Sequence, residues 1–214
     1  MNLPTRLVPL AAALALSFVA LPAAAVDYAF DLTDVGAFGA PTYGSVSLTQ
    51  DGANVDFLVK LDPEFNFVTT GNHYVFSFSG TDVAKTDIVD IADVGGQTFA
   101  VTTTATNPPF GSFGFGISCL TNCSNGNSAG GYNDPLSFTV ENATIADFLV
   151  PSTNAGSLGP AYFAADVVVT DRSLDSYGKT GNVGVSPVPE PETYALFLAG
   201  LGMMGFMARR RRAR

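Results

Sequence analysis

The 214-residue sequence has no tryptophan, one histidine (His73) and two cysteines (Cys119 and Cys123). With so few of these side chains, a zinc site or a histidine general base would lack partners. Charged residues make up only 14% of the chain, and most of the basic ones lie near its ends. Residues 26–187 hold four basic residues against 17 acidic ones, a net charge of −13. Such an acidic region repels nucleic acid and anionic lipid surfaces, so we expect neither as its partner.

Helical signal is also scarce, and short runs of alternating apolar and polar residues are common instead. Such alternation is typical of half-buried strands. Eight runs predict strands, at residues 28–32, 46–49, 55–61, 74–78, 99–103, 113–117, 136–140 and 163–169. The turn signal at residues 50–53 predicts a hairpin between the second and third of them. One short helix is predicted over 145–149, with Asn142 or Thr144 as its cap. We therefore predict an all-β domain over 26–170, an antiparallel β-sandwich with a jelly-roll-like order.

The N-terminal residues are typical of a secretory signal peptide. Arg6 supplies a positive charge, residues 7–21 are apolar, and Ala23-Ala24-Ala25 is a small-residue cleavage site. We expect residues 1–25 to be the signal peptide, so that Val26 begins the mature chain. In an oxidising exported setting we expect Cys119 and Cys123 to form a disulfide that closes a short loop; the alternative is half of a metal site.

The C-terminal residues combine three features in a fixed order. Pro189-Glu190-Pro191 precedes an uncharged stretch, residues 193–208, and a basic cluster follows it: Arg209, Arg210, Arg211 and Arg212. A helix over this stretch would be ~24 Å long, somewhat short for a hydrocarbon core of ~30 Å. We predict a short transmembrane helix whose arginines stay in the cytoplasm. The alternative is a buried C-terminal helix of a soluble domain.

This arrangement resembles the PEP-CTERM sorting signal of exported proteins from many Gram-negative bacteria. The resemblance covers about an eighth of the chain, residues 187–214. It implies that an exosortase-like membrane enzyme recognises the segment and cleaves it near Pro189-Glu190-Pro191. It also implies a transient anchor in the inner membrane, transfer to the cell surface or extracellular matrix, and a role with exopolysaccharide in a biofilm. The glycine- and serine-rich residues 171–186 predict a flexible linker that such an enzyme could reach.

Two further patterns could carry chemistry, but neither predicts a site. Gly126-Asn-Ser128-Ala-Gly130 has the spacing of a serine-hydrolase nucleophile elbow, yet it lies in a polar loop with His73 as the only candidate base. A cluster of four carboxylates predicts at most a weak calcium site, and a solvated acidic face is the alternative: Asp82, Asp87, Asp90 and Asp93. We therefore expect no catalytic residue, no metal and no cofactor.

Two alternative functions remain open at this stage. A carbohydrate-binding sandwich would need aromatic residues exposed together, and the candidates are Tyr43, Tyr132 and Tyr162. An extracellular hydrolase would need two carboxylates that meet in a cleft, which a sequence cannot identify because such pairs meet in space.

Overall fold

The computed structural model describes residues 27–33, 38, 42–71, 74–92, 97–121, 131–187 and 201. Within these ranges the chain forms two antiparallel sheets from eleven strands. The strands are β1 (Asp27–Asp31), β2 (Gly44–Asp51), β3 (Asn54–Leu61), β4 (Phe65–Phe67), β5 (Phe76–Phe78), β6 (Ile88–Val89), β7 (Thr98–Asn107), β8 (Gly111–Thr121), β9 (Leu136–Val140), β10 (Phe163–Val169) and β11 (Thr180–Val185). Two short 3-10 helices lie at Lys85–Asp87 and Ile145–Phe148.

The strand order defines the two sheets. Sheet A runs β1-β2-β3-β9-β6, and sheet B runs β11-β10-β5-β8-β7. Strand β10 is central to sheet B, because β5 pairs with its first half and β4 with its second half. The predicted β2–β3 hairpin is confirmed, with Asp51 paired to Asn54 across the turn. The predicted jelly-roll order is wrong: β1, β2 and β3 follow one another as a meander in sheet A, and only β9 and β6 join that sheet out of sequence order.

Phenylalanine rings from both sheets fill the space between them. Phe57 of β3 stacks on Phe138 of the same sheet, with ring centroids 4.5 Å apart. It also meets Phe78 of sheet B at 5.4 Å and Phe148 edge-on at 4.8 Å. Each of these rings is almost fully buried. Aromatic rings bury large apolar areas and gain further from such offset and edge-on contacts. The two sheets therefore share one core, and the predicted all-β sandwich is confirmed.

The short helix predicted near residue 145 forms as a 3-10 helix. Its first turn is closed by Thr144, whose backbone N–H and hydroxyl both donate to Asp147 Oδ2 at 2.8 Å. Ile145 and Phe148 point into the core. The hydrogen bonds between Thr144 and Asp147 thus close a turn that places the apolar side chains of Ile145 and Phe148 in the core.

The predicted flexible linker over 171–186 is wrong for residues 180–185, which form strand β11. Val183 and Val185 are buried in the main core. Gly181 and Gly184 carry no side chain, so the alternation that identifies a strand is hidden at these positions. The domain therefore extends to Val185, fifteen residues beyond the predicted boundary at 170.

The predicted signal peptide, residues 1–25, lies outside the described residues. So does the predicted membrane helix over 193–208, apart from Leu201. Within the part of the chain that the structure describes, no helix has the length and apolar character to cross a membrane.

Candidate functional site

Strand β11 brings the chain to the candidate sorting segment. It pairs with β10 over six positions, from Val168–Thr180 to Phe163–Val185. The N–H of Tyr162, the residue before β10, donates to the final carbonyl of the strand, Val185 O, at 2.8 Å. On the other edge of β11 the Thr33 N–H donates to Gly184 O at 3.1 Å. The backbone is thus held as far as the last residue of the strand. Because Pro189 is the fourth residue after Val185, the motif begins within ~14 Å of the end of this strand.

Both faces of β11 are also covered. The Phe110 ring lies so close to Gly184 that a Cβ there would be 2.8 Å from the ring. Phe38 approaches Gly181 in the same way, at 3.1 Å. On the same strand, the buried Asn182 side chain donates to Pro108 O at 2.6 Å. The last strand of the domain, β11, is therefore packed on both faces.

A buried carboxyl lies beside this exit, opposite Asn182 in the sheet register. Asp166 is fully buried, and its Oδ2 accepts hydrogen bonds from the backbone N–H (2.6 Å) and the hydroxyl (2.7 Å) of Thr70. Burial raises the pKa of Asp166 to about 6, although hydrogen bonds from Thr70 and Val167 act in the opposite direction. Asp166 thus connects the segment after β4 to sheet B and changes charge near neutral pH. Sequence reasoning missed it; a single carboxyl within the apolar run of residues 163–169 was the available signal.

The outer face of sheet A carries a shallow polar groove of about 290 Å³. Asp56 and Asp90 supply carboxylates, and Ser137 and Thr139 supply hydroxyl groups. The Thr139 hydroxyl donates to Asp56 Oδ1 at 2.6 Å. Both aspartates are exposed to solvent. The groove can therefore offer hydrogen bonds to a polar ligand, but it lacks the buried carboxyl by which glycosidases keep an acid protonated.

The predicted aromatic surface does not exist. Tyr43 is 1% exposed and Tyr132 is 6% exposed, and both belong to the core. Tyr132 stacks on Phe67 at 5.2 Å, and burial, with a smaller effect of Asp134, raises the pKa of its hydroxyl. Tyr162 is half-buried against the same core. These tyrosines cannot form a shared sugar-binding platform, so that form of the carbohydrate-binding prediction is wrong.

The carboxylates of the predicted calcium cluster have separate structural positions. Asp87 Oδ2 accepts the Ala84 N–H at 2.8 Å and closes the 3-10 turn. Asp82 and Asp90 occupy left-handed turn positions, with φ of 56° and 51°. Asp93 lies outside the described residues. In the described ranges, no three histidine, cysteine, aspartate or glutamate side chains come together as a possible metal site.

The remaining predicted site residues lie outside the described ranges. These are the sorting motif (Pro189, Glu190 and Pro191), the basic cluster (Arg209, Arg210, Arg211 and Arg212), and the residues His73, Ser128 and Cys123. Cys119 lies near the end of β8, partly buried against the core, and is not a free thiol. Its pairing with Cys123 stays a prediction.

Comparison with known proteins identifies the segment that follows β11. Residues 187–212 match the family model described as the PEP-CTERM protein-sorting motif. No curated protein and no solved structure matches the chain. The resemblance noted in the sequence is thereby confirmed: the chain carries the sorting motif of an exported protein that is processed by an exosortase, a membrane enzyme.

Proposed function

We propose that this protein is a non-catalytic component of the cell surface or the extracellular matrix. The observation that carries the proposal is the sorting motif at residues 187–212, which begins directly after the last strand of a complete sandwich. The signal peptide (1–25) starts export, and the helix over 193–208 stops it, with Arg209–Arg212 left in the cytoplasm. The enzyme then cleaves near Pro189-Glu190-Pro191 and transfers the sandwich to an exopolysaccharide-rich matrix.

The charge and packing of the sandwich support an extracellular, structural role. Its net charge of −13 keeps copies apart and soluble after release. Its interior is filled by aromatic and aliphatic side chains from both sheets. The groove on sheet A leaves both of its carboxylates exposed, which is a poor arrangement for acid–base chemistry.

Fractionation of exporting cells tests the sorting step. The triple variant P189A/E190A/P191A is expected to remain in the membrane fraction with an uncut tail, whereas the wild-type chain is shortened and reaches the surface or the medium. Intact-mass spectrometry measures both C-termini. The variant E141A/P151A is a matched control, because it replaces an exposed glutamate and an exposed proline within the sandwich. Equal processing of the triple variant and this control would refute the proposal.

A second variant separates anchoring from recognition. Deletion of residues 209–214 removes the basic cluster but keeps Pro189-Glu190-Pro191. We expect the deleted chain to pass through the membrane more often, because positive charges resist translocation. Protease added outside spheroplasts should then reach its C-terminal end. A deleted chain that stays anchored like the wild-type chain would show that the arginines do not set the orientation.

A second candidate function, glycan binding, is favoured by the groove on sheet A. Asp56 and Thr139 are already joined by a hydrogen bond, so their positions are set before a ligand arrives. A neutral or cationic polysaccharide fits the two carboxylates better than an anionic one. Binding of the mature protein to matrix polysaccharide should weaken in D56N/T139A and remain unchanged in the control D175N. Equal binding by all three proteins would exclude the groove.

A further inference from the structure

The two sides of the sandwich differ in how the edges of their sheets are covered. On one side, β1 ends sheet A and β11 ends sheet B, and the Thr33 N–H donates to Gly184 O, so that the chain joins the two sheets there. On the other side, β6 ends sheet A and β7 ends sheet B. Among the residues that the structure describes, no strand pairs with the outer edge of either. The backbone groups on such an edge can pair with a strand from another molecule.

Strand β6 is a poor template for such pairing. It has only two residues, and it lies between the 3-10 helix Lys85–Asp87 and Asp90. Asp90 has a left-handed backbone with φ of 51°, which ends the extended conformation there. Short edge strands and charged residues are two of the devices by which proteins prevent association through sheet edges.

Strand β7 lacks most of these devices. Its ten residues include no lysine, aspartate, glutamate or proline. A register shift lies between Thr98 and Phe99, and Thr104 has a left-handed backbone with φ of 67°. Between these two irregularities, residues 99–103 form a regular edge ~17 Å long. This segment is therefore the open edge of the described sandwich.

The charges of the domain favour contact at this edge over contact elsewhere. All 17 acidic residues of the segment 26–187 lie outside residues 94–133, which contain no charged side chain at all. Both β7 and β8 lie within this uncharged stretch. Two copies with a net charge of −13 each repel one another over most of their surfaces. At β7, a second copy that presents its own β7 meets no carboxylate within either hairpin.

We propose that β7 pairs antiparallel with β7 of a second copy, so that sheet B continues across two molecules. With the two-fold axis at Val101, Ala100 lies opposite Thr102 of the second copy and Phe99 lies opposite Thr103 of the second copy. The same segment serves both copies, as a two-fold dimer requires. The pairing uses neither the sorting motif nor its processing, so it is independent of the proposed function.

The first measurement is the molecular mass of the sandwich in solution. Residues 26–187 are exported with the signal peptide and without the rest of the tail, since the first and last strands of this segment are both paired within it. Five strand residues per copy make a small interface, so we expect a dimer with a dissociation constant on the order of 10–100 μM. Sedimentation velocity from about 1 to about 500 μM detects it. A monomer at every concentration would overturn the proposal.

A matched pair of variants locates the contact. T103E adds a carboxylate to the open edge, whereas T81E makes the same change at an exposed threonine outside β7. Because paired strands lie ~4.8 Å apart, the added charges of T103E would come close together in the dimer. We expect T103E to raise the dissociation constant at least about tenfold and T81E to change it by less than about twofold. Equal effects of the two variants would exclude β7 as the contact.

Hydrogen exchange of the wild-type sandwich tests the contact without any substitution. Backbone amides of residues 99–103 should exchange at least about threefold more slowly at the highest concentration than at the lowest, because pairing protects them. Amides of β9, which has a partner strand on both sides in sheet A, should show no such dependence. A dimer that forms while exchange in residues 99–103 stays constant would use another surface, and the proposal would be wrong.

Discussion

The buried carboxyl of Asp166 makes the stability of the sandwich depend on pH in an unusual direction. Its pKa rises from an ordinary value of 3.8 to about 6 in the folded protein. The folded state therefore binds a proton more tightly than the unfolded state. The contribution of Asp166 to stability is fully present below about pH 4 and is lost as the pH rises through 6. Each pKa unit corresponds to about 1.4 kcal/mol, so the shift of roughly two units is equivalent to about 3 kcal/mol.

Replacing Asp166 with asparagine removes this titration and keeps an oxygen that can accept from Thr70. We expect the free energy of unfolding of the wild-type protein to fall by about 2.4 kcal/mol, relative to D166N, between pH 4 and pH 7.5, because part of the difference has already been lost at pH 4. Urea titrations of mature protein at both pH values measure this difference, and titration of the other carboxylates cancels between the two proteins. The control D175N makes the same change of charge at an exposed position. Parallel pH profiles for D166N and the wild type would refute the reasoning.

Three further substitutions test the packing. F57A should lower the free energy of unfolding by about 3–5 kcal/mol in the same urea assay, because Phe57 contacts rings from both sheets. The control L120A, at an exposed position, should change it by less than about 0.5 kcal/mol. Y132F should leave stability unchanged or raise it slightly, since the buried Tyr132 hydroxyl has no hydrogen-bond partner within the described residues; a loss above about 1 kcal/mol would contradict this. G184A should lower the free energy of unfolding by about 1–3 kcal/mol, because the new Cβ meets the Phe110 ring. G114A, whose Cβ would have ordinary contacts, serves as the control. Equal thermal midpoints for the two variants would show that the Phe110 ring moves aside.

Most strands were predictable because one face of each is buried and the other is solvated. In β3 the buried residues Val55, Phe57, Val59 and Leu61 alternate with more exposed ones, as the sequence pattern predicts. The missed strands lack this signal. β4 and β6 have only three and two residues, and the two glycines of β11 interrupt its pattern. Strand order depends on contacts between distant residues, which a local pattern does not contain.

The sorting motif was predictable for a different physical reason. It is a linear signal, so its proline, glutamate, apolar and arginine residues can be identified without knowing the fold. The exposure of Tyr43, Tyr132 and Tyr162, in contrast, depends on the fold and could not be predicted from a linear pattern. Tyr132 follows a polar loop in the sequence, yet a bridge to Phe67 turns it into the core. Asp166 likewise depends on burial by a segment almost a hundred residues away, where Thr70 lies.

The position of β10 has a consequence for the order of events during secretion. An exported chain emerges from its N-terminus, and sheet A from β1 to β3 can form early because its strands are consecutive. Sheet B cannot be completed before residues 163–185 have emerged, since β4 and β11 pair with β10, although β5 can pair with β8 earlier. Under the proposed function, export stops at the apolar stretch that begins eight residues after Val185. Sheet B is then completed only when almost all of the exported chain has emerged.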